Sequence, residues 1–341
     1  MKVIFSSAQN KHCPESILFS GAPQPNPEVP GRADRLLAAA LSAGLVRKDP
    51  DDFGDAPLAA VHTPEYLRFL KQIHSRWQRI PDASRDVMPN IHPAGRGRTY
   101  PLSAVGQVGY HVYDGAAPIS ADTWDSARWS AMTAVQGAHE ILRGDNACYA
   151  LARPPGHHAA RDLAGGFCYL NNTAISAEVL RSRFARVAIL DVDVHHGNGT
   201  QEIFYDRGDV LTVSIHADPM RFYPFFWGHA DERGEGAGLD ANCNLPLPRG
   251  TNDDGYLQAL DHALAKIGEY SPGTLVVALG LDAFEGDPLR GLAITTGGFG
   301  RIAERIAALQ LPTLLVQEGG YLSDELGSNL ASFLQGFLGR P

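Results

Sequence analysis

The chain has 341 residues, of which 44% are hydrophobic and 20% charged, a balance typical of a globular protein with a sizeable core. Its formal net charge of −9 argues against a nucleic-acid partner and is compatible with a cationic substrate. The sequence has no apolar run near the ~20 residues that cross a membrane, no signal-peptide pattern, and no Cys-x-x-Cys pair among its four cysteines. We therefore expect a cytoplasmic protein with reduced thiols and no membrane partner.

Apolar periodicity and turn residues predict the elements in chain order. The first part contains a strand at 1–5, a proline-rich extended loop at 10–30, helices at 31–43, 63–77 and 123–142, and an irregular segment at 78–106. Strands at 147–152, 186–192, 210–215, 275–279 and 313–317 then alternate with helices at 172–183, 252–269, 298–309 and 323–338, a helical turn at 200–205 and a long loop at 217–250. This alternation predicts an α/β fold in which helices cover both faces of a parallel sheet.

The pattern gives no sign of a linker or an internal repeat, so we expect one domain spanning residues 1–341. Within it, the 78–106 segment is too long for an ordinary connection in a compact domain. We therefore expect this segment to be a functional or interface-forming loop.

The stretch Asp191-Val192-Asp193-Val194-His195-His196-Gly197-Asn198-Gly199 follows a short aliphatic run that is typical of a buried strand. Because alternate residues of a strand share a face, Asp191, Asp193 and His195 project together. Buried charges must be paired or bound to a metal ion. Oxygen and nitrogen ligands without a thiolate indicate a divalent metal, with zinc as the first choice.

Other polar residues follow the ends of predicted strands: the pair His157 and His158, then Asp282, then Tyr321. Ligands of open α/β sheets bind beyond the carboxyl ends of the strands, so we expect these side chains to converge. Asp282 would complete a three-ligand metal site that leaves a position for water. The histidines suit proton transfer near neutral pH, and the Tyr321 hydroxyl suits stabilisation of an oxyanion. The polar residues that remain to orient the two histidines are Asp191 and Asn198.

These motifs, together with Gly-Gly-Phe-Cys-Tyr-Leu-Asn-Asn at 165–172 and Val-His-Thr-Pro-Glu-Tyr-Leu at 61–67, occur in the order seen in one known group of enzymes. The chain resembles the arginase–deacetylase superfamily, in its histone deacetylase branch. Within that branch its length, its proline-rich amino-terminal loop and its 78–106 insertion are most similar to the bacterial acetylpolyamine amidohydrolases. The resemblance implies a three-layer α/β/α domain with a central, mostly parallel eight-stranded sheet.

The resemblance also implies an activity. It implies a zinc-dependent amidohydrolase that removes an acetyl or similar short acyl group from a small N-acetylated amine, such as an acetylated diamine or polyamine, and releases acetate. It further implies a homodimer formed through the insertion, one Zn²⁺ per chain and structural K⁺.

The implied site residues fall into four groups. The zinc ligands are Asp193, His195 and Asp282. The catalytic residues are His157 backed by Asp191, His158 backed by Asn198, and Tyr321. The substrate-binding residues are Gly166, Phe167 and Tyr223, with Arg32 near the channel for released acetate. The potassium sites are formed by Asp191, Asp193, His195, Ser214 and Ile215, and, for a second ion, by the carbonyls of Phe204, Arg207 and Val210.

The chain departs from the family pattern at two places. Asn198 replaces an aspartate that many eukaryotic histone deacetylases have, and the bacterial amidohydrolases share this asparagine. Ungapped matching places Ile17, Val105 and Ala116 where acetylpolyamine enzymes have glutamates that hold distal ammonium groups. This exchange argues against long polyamines and leaves short acetylated diamines or another N-acyl amine open. The residues that could substitute for the missing carboxylates are Asp114 and Asp122.

Three other functions remain open from the sequence. The first is a protein or peptide lysine deacetylase. The second is an arginase-like enzyme with two manganese ions, which needs an Asp-x-Asp pair on the later strand where this chain offers only Asp282. The third is a non-catalytic amine-binding protein, in which we would expect some of the catalytic residues to be missing.

Overall fold

The computed structural model describes residues 1–93, 95–97 and 99–339. Positions 94 and 98 of the predicted insertion and positions 340 and 341 of the predicted domain therefore lie outside the described residues. The strands are β1 (Lys2–Ile4), β2 (Ser16–Phe19), β3 (Ala22–Pro25), β4 (Val46–Lys48), β5 (Ala147–Ala150), β6 (Val187–Asp191), β7 (Val210–Ala217), β8 (Asn242–Leu247), β9 (Thr274–Leu279) and β10 (Thr313–Gln317). The helices are α1 (Pro30–Ser42), α2 (Ala56–Ala59), α3 (Pro64–Trp77), α4 (Ala104–His111), α5 (Thr123–Leu142), α6 (Asn172–Arg181), α7 (Asn198–Phe204), α8 (Asp253–Tyr270), α9 (Thr296–Ala307) and α10 (Leu326–Leu338).

Eight strands form one sheet in the order β4-β1-β5-β10-β9-β6-β7-β8. All of its pairings are parallel. The predicted α/β class and the eight-stranded parallel sheet are therefore confirmed. Strands β5, β10, β9 and β6 are direct neighbours, and their carboxyl ends lie at one edge of the sheet. The polar residues that follow these four strands are thereby brought close together.

Alternate residues of the central strands pack into two separate cores. Ala188 and Leu190 of β6 belong to one core, whereas Val187 and Ile189 belong to the other. Helices α1, α8, α9 and α10 cover the first core, and α3, α5 and α6 cover the second. Because helices cover both faces of the sheet, water is excluded from both. The central strands therefore consist almost wholly of apolar residues. No helix in the described part of the chain is both long and apolar enough to span a membrane.

Four short strands were missed by the sequence pattern. The predicted loop at 10–30 contains the antiparallel hairpin β2–β3, and the predicted loop at 217–250 contains β8 at one edge of the sheet. Strand β4, at the opposite edge, has three residues and is largely exposed. Edge strands and exposed hairpins do not need continuous apolar runs, so their residues carry no strong strand signal.

Candidate active site

Asp193, His195 and Asp282 form a buried cluster at the carboxyl edge of the sheet. One ligand atom from each lies within 4.8 Å of the others. His195 Nδ1 is 3.1 Å from an oxygen of Asp193 and 3.2 Å from Oδ2 of Asp282. The contact of Asp282 Oδ2 with His195 Nδ1 does not have hydrogen-bond geometry, so among the described residues this buried oxygen has no hydrogen-bond partner. Two carboxylates and an imidazole, with one buried oxygen unsatisfied, fit a divalent metal ion and match a zinc donor set.

Backbone amides fix the two carboxylates of this cluster. The N–H of Val194 donates to Asp282 Oδ1 at 3.0 Å, and the N–H of Gly319 donates to Asp193 Oδ2 at 2.8 Å. A side chain at Gly319 would collide with both carboxylates. Glycine is therefore required at this position for the loop after β10 to approach the cluster.

Burial and neighbouring charges shift the pKa values of the two carboxyl groups in opposite directions. Burial, together with the charge of Asp193, raises the pKa of Asp282. Burial also opposes ionisation of Asp193, but the neighbouring His157 and His195 outweigh it and hold the Asp193 pKa far below its usual range. Without a bound metal, Asp282 therefore holds a proton more readily than Asp193 does.

The adjacent histidines have unlike partners. Nδ1 of His157 lies 2.9 Å from Asp191 Oδ2, whereas Nδ1 of His158 lies 2.8 Å from the amide oxygen of Asn198. Burial lowers the pKa of His157, but the carboxylates of Asp191 and Asp193 outweigh it and raise the value to about 10. Burial and the neighbouring histidines hold the pKa of His158 well below its usual range. One imidazole is therefore suited to carry a proton and the other to accept one.

Glu318 holds the loop that carries the two histidines. Its Oε2 accepts the backbone N–H groups of Gly156 and His157, at 2.6 and 3.0 Å, and its Oε1 accepts the hydroxyl of Thr173 at 2.8 Å. Burial raises the Glu318 pKa to about 7. The sequence pattern indicated no role for Glu318, because its main partners are backbone groups.

Tyr321 faces the metal cluster from the loop after β10. Burial and the nearby Asp282 raise the pKa of Tyr321 well above its ordinary value, so its hydroxyl keeps its proton. Asp287 accepts the Tyr321 backbone N–H at 3.0 Å, and sequence reasoning missed this residue. The ring of Tyr321 packs edge-on against Phe167, and the Arg32 guanidinium lies 4.9 Å from its centroid.

Arg32 is buried behind Tyr321 and is held by several acceptors. Its guanidinium donates to a carboxylate oxygen of Glu28 and to the carbonyl of Glu318, each at 2.8 Å, and also to the carbonyl of Gly320. Glu28 is wholly buried and also forms an ion pair with Arg153 at 2.8 Å. Because Glu28 compensates two buried cations, Arg32 lies in a fixed position beside the site.

A cavity of about 500 Å³ that opens to solvent leads to this site. His157, His158, His195 and Tyr321 form its buried end. The walls above this end include the predicted substrate-binding residues Gly166, Phe167 and Tyr223.

Phe167 has a left-handed backbone (φ 67°), which is strained for a bulky side chain. A tight turn between Gly165 and Cys168 imposes this conformation. Between them, Gly166 leaves no room for a side chain, because a Cβ there would lie 2.8 Å from the Tyr223 hydroxyl. The turn therefore directs the Phe167 ring into the cavity.

The structure separates the three positions that ungapped matching assigned to the cavity mouth. Ile17 and Ala116 line the cavity. Val105 does not, since it lies on α4 beside Arg76 and Leu102 in a different surface depression. In the single chain Val105 is therefore apart from the cavity, and its assignment stays a prediction.

The two candidate substitute carboxylates also differ. Asp122 is exposed at the start of α5. Asp114 lines the cavity, where it accepts the Tyr223 hydroxyl at 2.7 Å and the N–H of Gly166 at 3.0 Å.

The residues assigned to potassium lie on or near β6 and β7. Asp191 and Ser214 are paired across β6 and β7 and border a small polar space, and Ile215 is the next residue of β7. The carbonyl of Phe204, at the end of α7, accepts the N–H of Arg207 at 3.0 Å, and Val210 begins β7. Carbonyl ligands have no side-chain signature, so these two sites stay predictions.

The sequence profile of the histone deacetylase domain matches residues 26–337. The chain belongs to the histone deacetylase family. As a family member it is a hydrolase that acts on amides, and the family implies dependence on zinc. The cluster of Asp193, His195 and Asp282 is a candidate for that metal.

Comparison with relatives confirms the predicted resemblance to the acetylpolyamine amidohydrolases. An acetylpolyamine amidohydrolase of Burkholderia pseudomallei is 48% identical to the chain over 338 residues. The aligned part covers 99% of the chain and 98% of the relative. Acetylpolyamine amidohydrolase 1 of Pseudomonas aeruginosa is 43% identical over 344 residues, with 99% of each chain covered. A crystal structure of the acetylpolyamine aminohydrolase from B. pseudomallei superposes with a TM-score of 0.96 at 47% identity and covers 99% and 98% of the two chains.

Proposed function

We propose that the protein is a zinc-dependent amidohydrolase that removes an acetyl or similarly short acyl group from a small N-acylated amine and releases acetate. The observation that carries this proposal is the shared cavity. His195, one of the three candidate zinc ligands, lines the same buried end as the histidine pair and Tyr321, and the other two ligands, Asp193 and Asp282, lie beside it. The names of the relatives, which refer to acetylpolyamines, support a small amine as the substrate.

The bound metal would supply Lewis acidity toward the amide carbonyl and the attacking water. Asn198 offers an oxygen to Nδ1 of His158, so this nitrogen carries the hydrogen and Nε2 is left free to accept a proton from water. The Tyr321 hydroxyl donates to the oxygen that becomes negative as water adds to the carbonyl carbon. The histidine pair then delivers a proton to the amine nitrogen as the C–N bond breaks, which yields acetate and the free amine.

A rate comparison tests this function. The zinc-loaded protein is given acetylputrescine, acetylcadaverine, acetylspermidine and an acetyl-lysine peptide at equal concentration, and acetate is measured. We expect the small acetylated amines to be hydrolysed with a higher kcat/KM than the peptide. Equal or faster hydrolysis of the peptide would favour a protein lysine deacetylase instead. Binding of the amines without acetate release would favour a non-catalytic amine-binding protein.

The proposal includes one zinc per chain and structural potassium at the Asp191–Ser214 position. Elemental analysis of the purified protein should give a zinc-to-chain ratio near one, whereas two manganese ions per chain would indicate an arginase-like centre. Replacing K⁺ in the buffer by a larger organic cation should lower Tm, because the polar space between β6 and β7 would lose its ion.

We further propose a single domain and a homodimer formed through the 78–106 segment. The exposed Ile91 and Leu102 of this segment support an interface. Shortening residues 90–100 to a glycine linker should convert the dimer to a monomer in light scattering. An unchanged mass would contradict the proposal. The mutation of an exposed leucine outside the segment, Leu239→Ala, serves as the matched control.

We also propose a cytoplasmic location. The four cysteines are unpaired, and Cys148 and Cys168 are buried thiols, which fits a reducing compartment. Fractionation of cells that produce the tagged protein should recover it with cytosolic markers.

A further inference from the structure

The outer part of the catalytic cavity is apolar and exposed. We define the apolar rim as Leu18, Phe19, Phe225, Phe226 and Trp227, all of which line the same cavity as the catalytic residues. Phe226 is 75% exposed and Phe19 is 59% exposed, whereas His157 and Tyr321 at the other end are buried. A group of large exposed apolar side chains around a cavity mouth indicates a surface that binds a ligand.

The cavity offers almost no negative charge to a substrate. Among the described residues that line it, Asp114 is the only acidic one. Its Oδ1 accepts the N–H of Ala116 at 2.9 Å, and its Oδ2 accepts from both Gly166 and the Tyr223 hydroxyl. Burial outweighs these hydrogen bonds and raises the Asp114 pKa above its usual range. This carboxyl group is therefore occupied in shaping the wall and is a poor partner for a substrate ammonium group.

The rings of the rim pack against one another. Phe225, Phe226 and Trp227 contact one another edge to face, with centroids 6.5 and 5.8 Å apart, and Trp227 contacts Tyr113 in the same way at 5.9 Å. Such packing forms a continuous apolar surface, and an uncharged apolar group gains free energy when it is buried there.

The overall charge of −9 does not alter this conclusion. At physiological salt, charges more than about 8 Å apart are largely screened. The net charge therefore influences the approach of a cation, but the groups in contact with the substrate decide how tightly it binds.

We infer that the apolar rim binds the distal end of the substrate and that this end is uncharged and apolar, as in an N-acetylated alkylamine or arylalkylamine. This inference rests on the proposed function, because the acyl group of such a substrate would occupy the buried end of the same cavity. It predicts that the enzyme discriminates against a distal ammonium group.

Matched substrates test the inference. N-pentylacetamide has the shape of N-acetylputrescine, with a methyl group in place of the terminal ammonium, and N-(4-phenylbutyl)acetamide adds a ring. For the zinc-loaded protein we expect a kcat/KM about tenfold higher for each neutral amide than for acetylputrescine. A second pair, with a terminal tert-butyl or trimethylammonium group, separates shape from charge. A preference for the trimethylammonium compound would reveal a cation-binding surface and overturn the inference.

Variants of Phe226 connect the preference to the rim. Phe226→Ala should raise KM for the phenylbutyl amide about tenfold with kcat unchanged, since the ring does not touch the reacting atoms. Phe226→Glu should raise kcat/KM for acetylputrescine about threefold through an exposed ion pair. Leu239→Ala, an exposed apolar residue outside the cavity, is the control and should leave both substrates unaffected.

The outcomes distinguish the inference from the function on which it rests. If acetylputrescine is hydrolysed faster than its neutral isostere, the inference is wrong and the proposed function stands. If none of the amides yields acetate, the proposed function fails as well. If Phe226→Ala leaves KM unchanged and lowers the mass in light scattering, the rim is a contact between two copies of the chain and the inference is again wrong.

Discussion

Nδ1 of His158 lies 2.8 Å from the side-chain oxygen of Asn198, so this histidine is paired with a neutral amide. Its neighbour His157 is paired with the carboxylate of Asp191. The two imidazoles are in van der Waals contact, with ring centroids 4.0 Å apart, and two adjacent protonated rings would repel each other. An amide beside one ring and a carboxylate beside the other therefore separates their proton affinities, which is what an acid–base pair requires.

Replacement of Asn198 by aspartate tests this arrangement. The new carboxylate would contact Nδ1 of His158 and raise its pKa, because an opposite charge stabilises the imidazolium. His158 would then be protonated up to a higher pH, and a proton acceptor is active only when it is unprotonated. We expect the acidic limb of the profile of kcat/KM against pH to move upward by about one unit or more. An acidic limb that coincides with that of the wild-type protein would contradict the assignment of His158 as the proton acceptor.

Tyr321→Phe removes only the hydroxyl that faces the metal cluster. Loss of one donor to a developing oxyanion costs about 10²- to 10³-fold in kcat, and we expect a loss of this size with unchanged zinc content. Tyr256→Phe is the matched control. Tyr256 is a buried tyrosine of α8 whose hydroxyl has no hydrogen-bond partner among the described residues. The control should keep wild-type kcat, and similar rates for the two variants would exclude the proposed role of Tyr321.

Asp282→Asn should have opposite effects on zinc binding and on the stability of the metal-free protein. Asp193 follows β6 and Asp282 follows the neighbouring strand β9, and both lie close to His195 Nδ1. In the metal-free protein the charge of Asp193 disfavours ionisation of Asp282. We expect the variant to lose zinc in elemental analysis and, as a metal-free protein, to gain about 2 °C in Tm. Asp287→Asn is the control, because its carboxyl group binds backbone N–H groups. Retention of a full complement of zinc by Asp282→Asn would remove Asp282 from the ligand set.

The parts of the fold and site that could be predicted are those indicated by a short, continuous stretch of sequence. The runs that became β6, β9 and β10 are buried on both faces and therefore uniformly apolar. The alternation of Asp193 and His195 places both on one face of an extended segment. Convergence with Asp282 then follows from parallel strand order alone.

The parts that could not be predicted depend on contacts between distant segments. Glu318 contacts the loop at Gly156 and His157, and Asp287 contacts the backbone of Tyr321. A carboxylate that accepts from backbone N–H groups has no partner side chain, so no residue spacing indicates it. The sequence named Asp114 as a possible partner of a substrate ammonium group, but it gave no sign of its three donors, two of which are backbone groups. The short edge strands β4 and β8 were missed because exposed backbone edges do not require apolar sequence.

His62 provides a pH dependence of stability that is independent of catalysis. It is buried, its Nε2 accepts the N–H of Asn171 at 2.9 Å, and its Nδ1 lies 3.2 Å from the carbonyl of Arg161. Burial lowers its pKa to about 4, so the folded protein keeps the ring neutral, whereas the unfolded chain binds a proton below about pH 6.5. The contribution to stability is therefore complete above pH 6.5 and is lost as the pH falls toward 4, by up to about 3 kcal/mol.

His62→Gln should remove this dependence, because the glutamine amide can accept from Asn171 and donate to Arg161 without titrating. Chemical denaturation between pH 4 and 6.5 should show a shallower loss of unfolding free energy for the variant than for the wild-type protein. Other buried histidines, such as His216 with a pKa lowered to about 4, and the metal ligands contribute equally to both proteins and cancel in the difference. His262→Gln, an exposed substitution on α8, should retain the wild-type slope. Parallel curves for His62→Gln and the wild-type protein would mean that His62 is already protonated in the folded state.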